Sequence, residues 1–412
     1  MKRLLALCVI LMGAVRADDW TAFRGPHGDG RSGEKNPPLK WPATENVRWK
    51  VALPSAGNSN PVTWGKKLFL TQSIDPAGHV RALWCLDRTD GRRLWSREIR
   101  CDFDETTHKD NPFCSATPAV DGQRVVASFG SGGLVCWDIE GKELWRKDIG
   151  RLEHLWGNAS SPIIHGDLVI ANCGPGERQF LLALDKHTGR EVWKVEEPGG
   201  KFGQAAPDWT GSWSTPVIAR IDGKDQLLVS WPEYLRAYDP ATGKLLWYCG
   251  GLTKLVYTSP MVGDGVVVAM SGYGGAAIGV RTGGAVGDVT ASHRLWRVER
   301  NPQRIGSGVM EGGYLYFVNE PGIAQCIDPK TGDALWSERI GGTAWSSLTL
   351  ADGKLYSVNM RGETVIFAAR PQFEVLGRNA LEERTLSTVV LSDGDLFIRT
   401  HQTLWCIRRG DR

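Results

Sequence analysis

The sequence predicts an all-β chain: an eight-bladed β-propeller of four-stranded antiparallel blades, closed by an N-terminal strand that joins the C-terminal blade. Three observations predict it. The pattern A-x-D-x-x-T-G-x-x-x-W recurs along the chain. A hydroxyl-rich motif precedes each copy. The composition couples 50 Gly with 18 Trp in 412 residues, many tight turns with many large anchors. With 42% hydrophobic and 23% charged residues, the chain is not of the disordered class.

In chain order, residues 1–17 read as a cleaved secretory signal peptide. Lys2 and Arg3 form the charged region, Leu4 to Val15 the apolar run, and Val15-Arg16-Ala17 the cleavage pattern. The apolar run is too short to span a membrane comfortably. Without Lys2, Arg3 and Arg16, the 49 basic residues fall level with the 46 acidic ones. That balance disfavours nucleic acid as a partner. The expected location is periplasmic or secreted. Residues 18–45 form an N-terminal extended segment, and residues 46–412 form the single propeller.

The repeat carries the ring. Ala183 to Trp193 and Ala237 to Trp247 fit the pattern throughout, and Cys326 to Trp336 fits with Cys for Ala. Cys85 to Trp95 fits with Cys for Ala and Asp90 for Thr, Cys136 to Trp145 with Cys for Ala and one residue deleted, and a weaker copy ends at Trp296. Each copy reads as a strand ending at Asp, a hairpin turn whose Gly supplies positive φ, and a second strand ending in Trp. Trp49, Trp95, Trp145, Trp193, Trp247, Trp296 and Trp336 are the expected structural anchors between neighbouring blades. The Asp of each turn (Asp87, Asp138, Asp185, Asp239 and Asp328) caps its own hairpin, because catalysis would not need it in every repeat.

The second motif runs through Ser59-Asn60-Pro61, Ala116-Thr117-Pro118, Ser160-Ser161-Pro162, Ser214-Thr215-Pro216 and Thr258-Ser259-Pro260. It continues without Pro at Ser307, Ser346-Ser347 and Ser387-Thr388. Together the motifs give four strands per unit at a period of about 40 to 55 residues, as propeller blades require. The last unit lacks its Trp strand, and Asn46 to Val51 is a lone strand containing Trp49, so the two ends complete one blade.

Eight cysteines follow the leader. Cys85, Cys136, Cys326 and Cys406 fall in the small slot of the repeat and pack as small hydrophobes. Cys101 and Cys114 flank a polar insertion and are the candidate disulfide pair. Neither CxxC nor HExxH is present, and the histidines are scattered.

The repeat resembles the tryptophan-docking motif of the PQQ-like propellers, a superfamily that includes the quinoprotein alcohol dehydrogenases and the outer-membrane assembly protein BamB family. The opening Trp20 to Pro26, with Gly28, Gly30 and Ser32, resembles the start of exported PQQ-like repeat proteins. The resemblance covers nearly all of the chain after the leader. A quinoprotein dehydrogenase of this superfamily clamps its quinone with a disulfide of adjacent cysteines. No Cys-Cys dipeptide occurs here, nor a C-x-x-C-H haem motif.

The leading expectation is therefore a non-catalytic exported propeller, a BamB-like protein-interaction scaffold acting through its loop face, monomeric and without a cofactor. The alternatives are a PQQ- and Ca²⁺-dependent dehydrogenase of alcohols or sugars, and a glycan-binding module. The partner is a protein or a glycan of the cell envelope. The residues leading into the innermost strands line the channel mouth, where repeat logic leaves Trp213, Tyr257 and Trp345 unexplained. With Asn158, Arg178, Tyr273 and Arg361 they form the candidate interaction face. His108, Lys109, Asp110 and Asn111 of the insertion, and Trp156, Asp208 and Trp209 just before strands, share that face.

Overall fold

A computed structural model describes residues 19–41, 46–197, 209–301, 303 and 305–408. The leader at 1–17 and Asp208 lie outside the described residues. Eight four-stranded antiparallel blades form the ring, as the sequence predicts. Blade 1 is Val62–Trp64, Lys67–Ser73, Val80–Asp87 and Arg93–Arg100. Blades 2 to 7 repeat this order from Ala119, Ile163, Val217, Met261, Val309 and Thr349. Blade 8 takes Val390–Ser392, Asp395–Arg399 and Thr403–Arg408 from the C-terminal end, and Val47–Ala52 as its outermost strand.

The small slot lies directly across the strand pair from the Trp: Cys85 pairs with Trp95, Cys136 with Trp145, Ala183 with Trp193 and Cys406 with Trp49. At Gly279 a Cβ would stand 2.2 Å from Trp296, so blade 5 needs the smallest residue there. Each outermost strand carries one extra residue just before the Trp position, such as Leu94, Leu144 or Val192. Such bulges twist an edge away from further pairing. The Trp then reaches the next blade's turn. Nε1 of Trp49 donates to the Arg88 carbonyl at 2.9 Å, Trp145 to Lys186 at 2.9 Å, Trp193 to Pro240 at 3.0 Å and Trp296 to Pro329 at 2.8 Å. Trp247 departs, bonding Gln226 of its own blade at 2.8 Å.

The turn glycine serves two needs. Gly189 has φ +70°, and its missing Cβ leaves room for the Trp145 ring at 2.7 Å. The turn carboxylates cap their own hairpins: Asp185 Oδ1 accepts from the N–H groups of His187 and Thr188 at 3.0 and 2.8 Å, and Asp239 Oδ1 does the same for Ala241 and Thr242.

The hydroxyl motif forms a girdle around the channel. The N–H of Asn60 donates to Thr117 Oγ1, Thr117 to Ser161, and Ser161 to Thr215, at 2.9 to 3.1 Å. From the entry to blade 5 the series runs from Ser259 to Ser307, Ser347 and Thr388, and Thr388 returns to Asn60 Oδ1 at 2.9 Å. Innermost strands have no neighbouring strand toward the channel, so a short side-chain acceptor on the next blade satisfies each exposed donor.

The N-terminal segment packs as a strap across the channel. Trp20 exchanges two hydrogen bonds with Thr63 of blade 1, and the Thr21 carbonyl accepts from Val120 of blade 2. Arg31–Ser32 pairs in parallel with Leu350–Ala351 of blade 7. The Arg24 guanidinium is 1% exposed and donates to the carbonyls of Ser307 at 3.1 Å and Gly308 at 2.6 Å. Burial lowers its pKa to about 10, which leaves it charged at neutral pH.

Cys101 and Cys114, the candidate disulfide pair, lie as buried free thiols in one apolar cluster. The insertion between them is held instead by Arg81, whose guanidinium meets Glu105 at 2.6 Å with both side chains buried. Burial pushes the Cys114 thiol up to about 12, which keeps it protonated and unreactive. No helix among the described residues is long and apolar enough to cross a membrane.

Candidate functional site

The loop face opens into a central pit of about 350 Å³, within the range of small-molecule pockets. Phe23 of the strap forms its floor, and also borders a second cavity of about 290 Å³ beneath blades 2 to 4. Two unlike walls rise from that floor. The segments leading into blades 3, 4 and 5, with one loop of blade 5, supply Trp156, Trp209, Trp213, Tyr257 and Tyr273. Across the pit stand Asn58, Asn60, Asp110, Asn111, Ser115 and Thr388, from blades 8, 1 and 2 and the insertion.

The aromatic wall is one connected cluster. Trp213 and Tyr257 stack with centroids 4.7 Å apart and planes 24° apart. Trp156 is the hub, lying 4.8 Å from Trp209, 5.9 Å from Trp213 and 5.8 Å from Tyr273. Behind it, His154 is fully buried, edge-on to Trp213 at 5.0 Å, and its Nδ1 accepts the Trp156 N–H at 3.2 Å. Burial alone lowers the His154 pKa to about 4, so the ring is neutral.

The polar wall is braced by the insertion. Asn58 donates to the Asp110 carbonyl at 2.9 Å, and Asn111 donates to the Trp156 carbonyl at 2.7 Å. The Asp110 carboxylate is paired with Arg384 near the blade 8 mouth, with His108 Nδ1 at 3.7 Å.

Of the sequence-predicted face, Trp213, Tyr257, Tyr273 and Trp345 line the pit. Asn158 does not: it donates to Glu105 at 3.1 Å and to the Leu152 carbonyl at 2.9 Å, fastening the insertion to blade 3. Arg178 lies away from the pit over Phe180, donating to the Ile149 carbonyl at 3.1 Å. Arg361 sits on the rim, in an open groove with Glu363, Arg378, Glu382 and Arg384. Sequence reasoning missed Phe23, Asn60 as a pit residue and His154. The strap shares no repeat with the ring, so nothing registers Phe23 against a blade.

The tricarboxylate quinone of the dehydrogenases does not fit these residues. Among the described residues lining the pit there is no Lys or Arg to meet its carboxylates, and no His, Cys, Asp and Glu cluster suited to a metal ion occurs among the described residues.

Comparison with known proteins agrees with the ring. Residues 40–178 and 177–412 match the family described as outer membrane protein assembly factor BamB. BamB of Moranella endobia (strain PCIT) is 23% identical over 303 residues, 69% of this chain and 72% of that protein. The structure of BamB from Moraxella catarrhalis superimposes with a TM-score of 0.62 at 15% identity, over 87% of this chain and 98% of that one. The quinohemoprotein alcohol dehydrogenase of Comamonas testosteroni gives a TM-score of 0.70 at 13% identity, over 97% and 82%. At such identities the structural likeness is one of fold. Matched from residue 40 to residue 412, the chain belongs to the BamB family of PQQ-like β-propellers.

Proposed function

We propose that this chain is a non-catalytic, monomeric propeller exported to the cell envelope, where its loop face holds a protein partner. Family membership supports a role beside outer-membrane protein assembly. One observation carries the choice of face. The strap lies across the channel at one end, while the other end opens through a braced rim and an aromatic pit. A rigid ring with one open face suits recognition by shape, and the long insertion fixes that face through hydrogen bonds to blades 1 and 3. The rim groove by Arg361 and Arg384 offers charged contacts for a partner segment.

Photo-crosslinking in native cells tests this. A crosslinker at Lys109 or Arg361, both exposed on the loop face, is expected to capture outer-membrane assembly components. The same label at Lys66, an exposed turn residue at the opposite end of blade 1, is expected to capture none. Equal capture from all three positions, or none from Lys109 and Arg361, would sink the proposal.

A further inference from the structure

The pit itself carries chemistry that a protein-binding rim does not need. Among the described residues lining it, three buried polar atoms have no hydrogen-bond partner: Asn60 Nδ2, Asn58 Oδ1 and Trp209 Nε1. Asn60 is 1% exposed, and its Oδ1 is already committed to the Thr388 N–H at 2.9 Å. Its amide donor therefore stands unused in the polar wall, beside the unused Asn58 Oδ1. Leaving one such group unmet costs about 1–3 kcal/mol, so three around one cavity favour a ligand that brings its own donors and acceptors.

The opposite wall sets the shape of that ligand. Trp156, Trp213, Tyr257 and Tyr273 present broad, electron-rich aromatic surface, which suits a flat apolar face with polarised C–H groups. Charge narrows the class further. The described lining holds no Lys or Arg for an anion, and its one carboxylate, Asp110, is already paired with Arg384. A molecule with one C–H face, hydroxyls at its edge and no net charge meets all three conditions.

We propose that the pit is a saccharide subsite that takes a neutral pyranose ring. The sugar lays its C–H face on the aromatic wall, and small side-chain rotations bring Asn60 Nδ2, Asn58 Oδ1 and Trp209 Nε1 to its hydroxyls. Hydroxyls both donate and accept, so they match an unpaired set that mixes the two roles. The subsite shares the open loop face with the protein-partner reading, but it uses the pit where that reading uses the rim. The protein is thereby fitted to hold a partner and an envelope glycan at once.

Intrinsic Trp fluorescence and calorimetry on the full exported chain test this, with cellobiose, maltose and diacetylchitobiose as neutral probes. Glucosamine and glucuronic acid serve as charged comparators. At least one neutral disaccharide is expected to bind, at least about tenfold more tightly than either charged sugar. Tyr273→Ala removes an exposed part of the aromatic wall and is expected to weaken binding by about tenfold or more. Asn60→Asp keeps the acceptor for Thr388 and loses the free donor; it is expected to weaken binding similarly, with an unchanged circular dichroism spectrum. Lys109→Glu and Arg361→Glu are expected to bind sugar as the wild type does. Failure of every neutral probe, preference for a charged one, or undiminished binding in Tyr273→Ala and Asn60→Asp overturns the subsite and leaves the crosslinking result standing on its own.

Discussion

At His154 the fold holds a neutral imidazole where an ordinary histidine would be half-charged near pH 6.5. Burial behind Trp156 and Trp213 lowers its pKa to about 4. The unfolded chain binds a proton there before the folded chain does. This contribution to stability is therefore intact above about pH 6.5 and is lost as pH falls toward 4. A displacement of that size corresponds to about 3 kcal/mol between the two ends of the window. Urea unfolding of wild type and His154→Gln at pH 7 and pH 4 checks it: the variant is expected to lose less stability on acidification, by up to about 3 kcal/mol. Equal losses would refute the assignment. Nothing in the sequence marks this histidine. It belongs to no repeat, and its burial depends on aromatic residues from two separate connections.

Among the elements, the hairpin turn between the third and fourth strands does the most work per residue. Its Asp caps the turn, and its Gly both adopts positive φ and admits the preceding blade's Trp. Two substitutions separate those demands. Gly166→Ala, in the turn between the first two strands of blade 3, meets an open position at φ +56°, with no atom within 4 Å, and is expected to cost about 1–2 kcal/mol for backbone strain alone. Gly189→Ala adds a collision with Trp145 and is expected to cost about 1–3 kcal/mol more. Denaturant melts of the two variants measure the difference, and equal costs would remove the Trp contact from the explanation. These elements were legible because each recurs, so a chance match at one copy is corrected by the others. Local repetition also had its cost. It marked Trp213 and Tyr257 as departures from pattern, while Trp156, the hub of the same cluster, lies in a connection that the repeat does not align.

For the molecule as a whole, the closing seam concentrates charge. Asp395, 1% exposed on blade 8, meets Arg48 of the N-terminal strand at 3.3 Å, Arg88 of blade 1 at 3.3 Å and Arg408 at 2.6 Å. Asp395→Asn strips the shared anion from these guanidinium groups and is expected to destabilise the ring by about 3–5 kcal/mol. A thermal melt reads the loss, and an unchanged midpoint would show that the seam is held by strand pairing alone. Closure itself was legible, because a lone Trp strand at one end answers a missing one at the other. The course of the strap was not. Its contacts run to blades 1, 2, 6 and 7 in turn, and no periodicity in Trp20 to Ser32 encodes which blade each residue meets.

That strap also governs traffic. With Phe23 beneath the pit, an occupant must back out along the path by which it arrived. Side chains at the mouth therefore act on arrival and departure alike, and changes there alter both rates in step with little effect on the equilibrium. Changes at the floor or walls alter how long an occupant stays.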